Sequence, residues 1–294
     1  MKRRHFLAYS LFFTAGCAVT TNSGQISAPS NQRKTLRFAV TDVVGMEELQ
    51  NDYEPFRVAL EEVLERQVEF FPTENLIAAA AALHAFEVDM VMAGPSEYVV
   101  IRAKSEALPV VSLTRLNYHS LIVTRADSGI QALADLKGKT VGITEVGQTG
   151  GHMGGVKLLA DSGLQPTDDY EMIALGSTGI WTNLQDGSVD AVVGLPHRYE
   201  KFLNATGVSE TEFPIIAEGA PLPNDVFVLN RLLEPAEVED IQSRMLEQKD
   251  KLIAGLLATE ANQKFQGGTL VAANDSDYDM VREMYRLIGQ DTYL

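Results

Sequence analysis

Two short runs, Val88–Gly94 ("VDMVMAG") and Val189–Leu195 ("VDAVVGL"), constrain the fold more than any other feature of this 294-residue chain. Each is a nearly unbroken apolar run closed by glycine, as expected of a strand buried on both faces of a parallel sheet. Thr35–Val40 ("TLRFAV") reads as a strand ahead of the first run. Glu54–Gln67 reads as a helix with Phe56, Leu60, Val63 and Leu64 on one face, "VEFFP" as a second strand, and "ENLIAAAAALHAF" as a helix of high propensity. This β-α-β-α-β order is one α/β unit. Two extended segments in "LPVVSLTRLNYHSLIVTR" then leave it, and the pattern restarts. "GIQALADLKGK" predicts a helix and turn, "TVGIT" a strand, Gly151–Asp161 a helix, "YEMIAL" a strand, "GIWTNLQDG" a short helix, and "HRYEKFLNA" a helix after the second run. "NDVFVLNR" is extended again, with helices expected over Glu237–Leu257 and Asp277–Leu287. Two α/β units joined by extended segments imply two lobes around a cleft. Ligands of open α/β sheets bind outside the carboxyl ends of the strands.

At one such end stands "EVGQTGGHMGGVKLLADSG", with five glycines between Gly147 and Gly155. A strand–turn–helix fits it, with Val156, Leu158, Leu159 and Ala160 as the apolar stripe and Gly163 as the C-cap. The free N–H groups and partial positive charge of a helix start can hold an anion, and glycine allows it close to the backbone. An ordinary loose turn fits the same residues. The stretch matches neither G-x-x-x-x-G-K-[ST] nor G-x-G-x-x-G, which argues against a nucleotide loop.

The formal net charge of −16 argues against nucleic acid as a partner, and no run reaches the roughly 20 apolar residues of a membrane-spanning helix. "MKRRHFLAYSLFFTAGC" reads as an export signal: Lys2, Arg3 and Arg4 precede a short apolar run. It ends at Cys17, the chain's one cysteine, in a Thr-Ala-Gly-Cys that resembles a bacterial lipobox, although Thr14 replaces the usual aliphatic residue. The expectation is a signal peptide over 1–16, a lipid anchor at Cys17 to the outer face of the cytoplasmic membrane, and a flexible polar tether over 17–34. Arg3-Arg4-x-Phe6-Leu7 fits a twin-arginine route, and a general secretory route fits as well. Without Lys2, Arg3 and Arg4 the chain keeps 21 basic against 40 acidic residues, a net of −19. An anionic ligand would then have to be held by local, oriented donors.

From Thr35 to the C-terminus, several stretches in order resemble the substrate-binding proteins of phosphonate, phosphite and phosphate-type ABC importers. They are "DYEPFRVALEEVLERQVEFFPTENLIAAAAAL", "VDMVMAGPSEYV", "YHSLIVTRADSGIQALADLKGKTVGI", "GSVDAVVG", "PLPNDVFVLN" and "DSDYDMVREMYRLIG". The resemblance implies an α/β, two-lobe periplasmic binding protein (Venus flytrap, type II) whose chain crosses twice between lobes. Lobe 1 would comprise 35–122 and 225–294, and lobe 2 residues 123–224. It implies a periplasmic monomer without cofactor or metal, handing a small phosphorus oxyanion to an ABC permease and its ATPase.

Carried over residue by residue, the resemblance also implies a pocket. Gln148, Thr149, Gly150 and Gly151 stand where many relatives have Ser-Thr-Ser-Gly, so backbone N–H groups and the Thr149 hydroxyl would donate to ligand oxygens. Tyr118 matches a ligand-contacting tyrosine on the crossing segment; its alternative role is an aromatic packed at the hinge. Asn75 falls where phosphonate binders often carry tyrosine, and it either donates to an oxygen or caps a helix. Thr178, with Ser177, lies near a position where relatives use histidine, and Trp181 beside them reads as a core or cleft-wall residue. His197 matches an acidic position in aminoethylphosphonate binders, and a surface histidine is the alternative. Asp225 matches an aspartate on the returning crossing, or fixes a turn beside Pro223. A bare carboxylate in an anion pocket is repelled strongly, so Asp225 is expected to accept a proton from the ligand, an ammonium or a P–OH. With His197 in place of the second acid, a singly protonated phosphite, phosphate or methylphosphonate is favoured over aminoethylphosphonate. Two rival readings are a ligand-sensing subunit for a membrane receptor and an enzyme on the same fold. Against the enzyme, no cysteine other than Cys17 and no H-E-x-x-H spacing is present.

Overall fold

The computed structural model describes residues 35–73, 78–166 and 168–294. The export signal, Cys17, the tether and Asn75 lie outside the described residues. The first apolar run forms β3 (Met90–Ala93), every residue buried, beside β1 (Thr35–Val40) and β2 (Gln67–Phe70), with α1 (Met46–Leu64) and α2 (Ala78–His84) between them. A helix unforeseen in the sequence, α3 (Pro95–Ser105), follows directly, and β4 (Leu108–Leu113) ends this part. The second part holds β5 (Leu121–Thr124), β6 (Thr140–Ile143), α4 (Gly154–Asp161), β7 (Glu171–Ala174), α5 (Gly176–Asp186), β8 (Ala191–Gly194), α6 (Pro196–Thr206) and β9 (Ile215–Glu218). The chain then returns as β10 (Asp225–Leu229), α7 (Pro235–Glu247), α8 (Lys249–Leu257), β11 (Leu270–Ala272) and α9 (Asp279–Leu287).

The first sheet runs β11-β4-β10-β3-β1-β2 and the second β7-β6-β8-β5-β9. In the first, β2, β1 and β3 are parallel while β10 runs antiparallel between β3 and β4. In the second, β7, β6 and β8 are parallel and β5 is antiparallel to both β8 and β9. The chain therefore crosses between sheets twice, after Leu113 and after Glu218. Because β5 pairs from Leu121, the second lobe takes in Leu121 and Ile122, two residues before the expected boundary. Helices cover both faces of each sheet. Phe56, Leu60, Met245 and Leu252 pack on one face of the first and Val99, Ile101, Val281 and Met284 on the other. Trp181, Phe202 and Phe213 cover one face of the second sheet, and Leu136, Leu159 and Tyr170 the other.

Two local expectations change, and two strands had none. Gly129–Lys139 forms only a 3-10 turn at Leu133–Leu136, where Asp135 Oδ2 accepts the N–H groups of both Gln131 and Ala132. Glu237–Leu257 is two helices broken at Gln248, whose φ of −109° and ψ of 28° are not helical. The edge strands β9 and β11, of four and three residues, were too short to show a periodicity.

The glycine-rich stretch starts with a π-helical turn, Thr149–Met153, that runs into α4. Of the five glycines from Gly147 to Gly155, one, Gly147 at φ 91°, needs a left-handed backbone. The others permit close approach. A Cβ on Gly151 would lie 2.0 Å from Thr144 Oγ1, on Gly154 2.2 Å from Ser120 Oγ, and on Gly155 2.4 Å from Val193 Cγ2. Glycine thus lets α4 lie directly on β5, β6 and β8. A Gly155→Ala variant should lose about 1–3 kcal/mol of stability to overpacking, despite the roughly 1 kcal/mol that alanine adds to a helix. Adding Val193→Ala should recover part of the loss. Urea denaturation of the two variants checks this, and an unchanged midpoint in Gly155→Ala would contradict the close packing.

Candidate functional site

Between the two sheets lies a cavity of about 310 Å³. Its walls come from the carboxyl ends of four parallel strands: Asp42 after β1, Gly94–Glu97 after β3, Glu145–Gly151 after β6, and Leu195–Arg198 after β8. The two lobes use the same device. In each, a buried strand stops at an extended residue, Gly94 or Leu195, and proline opens the next helix at Pro95 or Pro196. Proline forces the turn away from the strand and aims the first helical residues into the cleft. The two crossings add Arg115, Tyr118 and Asp225 as the back wall, and Lys264 closes one side.

The lobes are closed on each other. The Ser96 backbone N–H donates to Thr149 Oγ1 at 3.0 Å, Lys157 reaches Glu283 of α9 at 3.4 Å, and Met153, Leu195 and Leu222 join the apolar cluster of the first lobe. Among the described residues, the N–H groups of Thr149, Gly150 and Gly151 have no backbone acceptor, as befits the first turn of a helix.

The electrostatics rest on three cations. Arg115 pairs with Asp225 at 3.3 Å, with side-chain exposures of 9% and 3%, and its guanidinium lies 3.8 Å over the Tyr118 ring. Lys264 pairs with Asp42. Burial works against the Asp42 charge, and Lys264 outweighs it, holding the carboxyl below its usual range. Arg198 makes no ion pair among the described residues; burial, then Arg115, lowers its pKa, while Asp42 and Glu145 act on it more weakly in the opposite sense. On the acidic side, burial and then Asp42 push Glu97 up to about 7. His197 is exposed at the rim, yet partial burial of its ring, followed by the charges of Arg115 and Arg198, brings it down to about 4. It is neutral at pH 7. His152, buried in the π turn, is likewise brought to about 4 by burial, and its Nδ1 accepts the Gly147 N–H at 3.0 Å. The N–H of that ring therefore sits on Nε2.

Of the residues singled out in the sequence, Tyr118, Gln148, Thr149, Gly150, His197 and Asp225 all line this cavity. Thr178 does not. It is exposed on the first turn of α5, a helix that turns its buried side, Ile180 and Trp181, onto the core of the second lobe. Trp181 stacks on Phe202 at 5.0 Å and is a core residue. Gln148 is tied down by Thr144, whose hydroxyl donates to its Oε1 at 2.6 Å. The reasoning for Asp225 also changes. Arg115 gives its carboxylate a counter-charge at 3.3 Å, so a proton from the ligand is not its one available partner, although burial still outweighs Arg115 and raises the Asp225 pKa. Arg115, Arg198, Lys264, Ser96 and Glu97 were not foreseen. A signal existed for some of them: Arg115 stands three residues before Tyr118 on the crossing, and Ser96-Glu97 follows the Gly-Pro that ends a buried strand. Lys264 comes from a distant 3-10 segment and carried none. A larger hollow, about 930 Å³, opens between the β7 edge and the end of α9. Size alone does not make it the site, because it lacks the converging arginines.

The chain belongs to the periplasmic phosphonate substrate-binding proteins of ABC transporters, the family that matches residues 38–278. Two known relatives show its range. The phosphate-import protein PhnD of Mycolicibacterium smegmatis is 20% identical over 281 residues, covering 88% of this chain and 87% of that protein. The tetrathionate sensor histidine kinase TtrS of Salmonella typhimurium is 26% identical over 153 residues, 49% of this chain but only 26% of the kinase. This chain thus aligns with about a quarter of that relative's length. Among solved structures, PhnD1 of Prochlorococcus marinus in complex with methylphosphonate superposes with a TM-score of 0.67 at 16% identity, covering 87% of this chain and 99% of that one. The fold is that of the type II periplasmic binding proteins.

Replacing Arg115 by methionine would leave Asp225 buried without its cation, a change that typically costs about 3–5 kcal/mol. Burial already raises the Asp225 pKa above its ordinary value. The loss should therefore be fully present at neutral pH and ease as pH falls through the folded-state pKa and Asp225 takes up a proton. Arg115→Met with Asp225→Asn should be more stable than Arg115→Met alone. Thermal denaturation across pH 4–8 checks both, and a pH-independent loss would refute the assignment.

Proposed function

We propose that this protein captures a small phosphorus oxyanion (phosphonate, phosphite or phosphate) between its lobes and hands it to the permease and ATPase of an ABC importer. The observation that carries this reading is Arg198, a cation that makes no ion pair among the described residues. It lines the same cavity as Thr149, Gly150 and Gly151, whose backbone N–H groups have no backbone acceptor. Arg115 and Lys264 are already neutralised by Asp225 and Asp42, which leaves the Arg198 charge and the helix start for an anion. Tyr118, Gln148, Thr149 and Gly150 form the wall around it, and His197 presents a neutral ring. The cavity volume, about 310 Å³, suits a ligand of a few heavy atoms. Family membership supports the transport role, a periplasmic location and a non-enzymatic part in uptake.

The export signal and lipobox-like end at Cys17 support a lipid anchor on that residue. Asn75 is proposed to contribute to holding the same ligand. A second reading, a sensing subunit that presents the ligand to a membrane receptor, is favoured by the partial match to a sensor kinase. Deleting the gene separates the two. An importer subunit is required for growth on methylphosphonate as sole phosphorus source, whereas a sensor is required for a transcriptional response.

Calorimetric titration with phosphate, phosphite, methylphosphonate, aminoethylphosphonate and sulfate tests the ligand class. At least one phosphorus oxyanion should bind, and Arg198→Ala should bind it about tenfold to a hundredfold more weakly, as expected for a charged hydrogen bond of about 1.5–3 kcal/mol. Wild-type affinity retained in Arg198→Ala would move the anion site elsewhere. For the anchor, wild type should partition into detergent and Cys17→Ser should not, with ligand affinity the same in both.

A further inference from the structure

Glu97 stands apart from the other carboxylates of the cavity. Asp42 has Lys264 and Asp225 has Arg115. Glu97 lines the same cavity with no ion-pair partner among the described residues. Its neighbours make a charge there costly. Asp42 and Asp225 both act on it, and the Tyr118 and Tyr285 phenols lie near enough to feel its charge. The Glu97 and Asp225 carboxylates converge on Gly94, where an added Cβ would lie 2.6 Å from Glu97 Oε2 and 3.7 Å from Asp225 Oδ1. The rest of the cavity's charge is Arg115, Arg198 and Lys264, with Glu48 and Glu145 at its edge and His197 neutral. Glu97 is also wired to lobe closure. Its Oε2 accepts the Ser96 hydroxyl at 3.0 Å, a bond that favours the charged form and that burial outweighs, and the Ser96 backbone N–H holds Thr149 of the opposite lobe. Closing the lobes over an anion brings a further negative charge against this carboxyl and removes the water that would screen it.

We propose that Glu97 is a proton-carrying hydrogen-bond donor of the closed cleft: on ligand capture it takes a proton from solvent and offers that O–H to a ligand oxygen. This deepens the reading of the cleft as an oxyanion site and rests on it. The consequence is specific. A carboxyl kept protonated is a donor without a charge, so it can face an anion where a carboxylate would repel it. The sign follows from the raised pKa of Glu97. Binding should be strongest below about pH 7 and weaken above it, as deprotonated Glu97 must first recover its proton.

The test uses the mature full-length chain, wild type and Glu97→Gln, with methylphosphonate as the probe. Calorimetry in two buffers of different ionisation heat counts protons taken up at pH 8. Wild type should take up more protons than Glu97→Gln, by up to about one, since the ligand's own titration is common to both. Above pH 7 the wild-type affinity should fall relative to the variant by up to about tenfold per pH unit. Equal proton counts and parallel pH profiles would overturn the proposal. A ligand-free measurement guards against a variant that binds nothing. Glutamine lacks the titration, so the melting temperature of Glu97→Gln should gain on wild type as pH rises from 5 to 7 and hold a constant lead above that. No such gain would count against Glu97 as the protonated group. Failure of every phosphorus oxyanion to bind wild type, with the melting shift present, would instead refute the choice of ligand and leave the Glu97 assignment standing.

Discussion

The buried pair of Arg115 and Asp225 holds this architecture at its weakest point. Two lobes joined by two separate segments could drift independently. Arg115 lies on the outgoing segment and Asp225 begins the returning strand, so the pair ties the two crossings together at 3.3 Å. The Arg115 N–H adds a bond to Asn224 Oδ1 at 3.2 Å, beside the same strand. Tyr118 lies flat beneath the guanidinium, which fixes its ring at the back of the cavity. A buried ion pair is weak support for stability in itself, because desolvation cancels most of its attraction. Its value here is geometric. It sets the position from which the hinge residues face the cleft.

The same pair explains how an acidic protein can hold an anion. A net charge of −16 works against the approach of any oxyanion. Inside the cleft, however, acids and bases are matched locally: Asp225 by Arg115 and Asp42 by Lys264. Among the described residues there remain an arginine outside any ion pair, a helix start whose N–H groups have no backbone acceptor, and a carboxyl whose surroundings favour its neutral form. Such contacts act over a few ångströms in a site closed to water, where they outweigh a screened long-range field.

Much of the fold was legible because its signals are local. The runs at Val88–Gly94 and Val189–Leu195 became β3 and β8, and the glycine-rich stretch did end β6 and open a helix. The purpose of those glycines was not legible. Space for an anion and space for a neighbouring strand ask for the same residue, and only the distances from Gly151, Gly154 and Gly155 to Thr144, Ser120 and Val193 separate them. Cavity-lining residues on recognisable motifs, such as Tyr118 and Thr149, could be picked out in the sequence. Their counter-charges could not, because an ion pair between Arg115 and Asp225 spans 110 positions and leaves no periodicity. Thr178 failed for a related reason. Its neighbours Ile180 and Trp181 are claimed by the core, and helix geometry then turns Thr178 to solvent.

The glycine-bearing helix ties binding to closure. Its first turn presents N–H groups to the cavity, and the Thr149 hydroxyl in that turn accepts a hydrogen bond from Ser96 of the opposite lobe. Further along, Lys157 of α4 reaches Glu283 of α9. One rigid element therefore lines the cavity at its start and touches the opposite lobe at both its start and its middle. It is seated on β5, β6 and β8 too closely to tilt independently of the second sheet. A ligand that engages this turn thus engages the whole second lobe as one body. Closure then follows from the contacts that body can make with Ser96 and Glu283, with no intermediate relay of side chains.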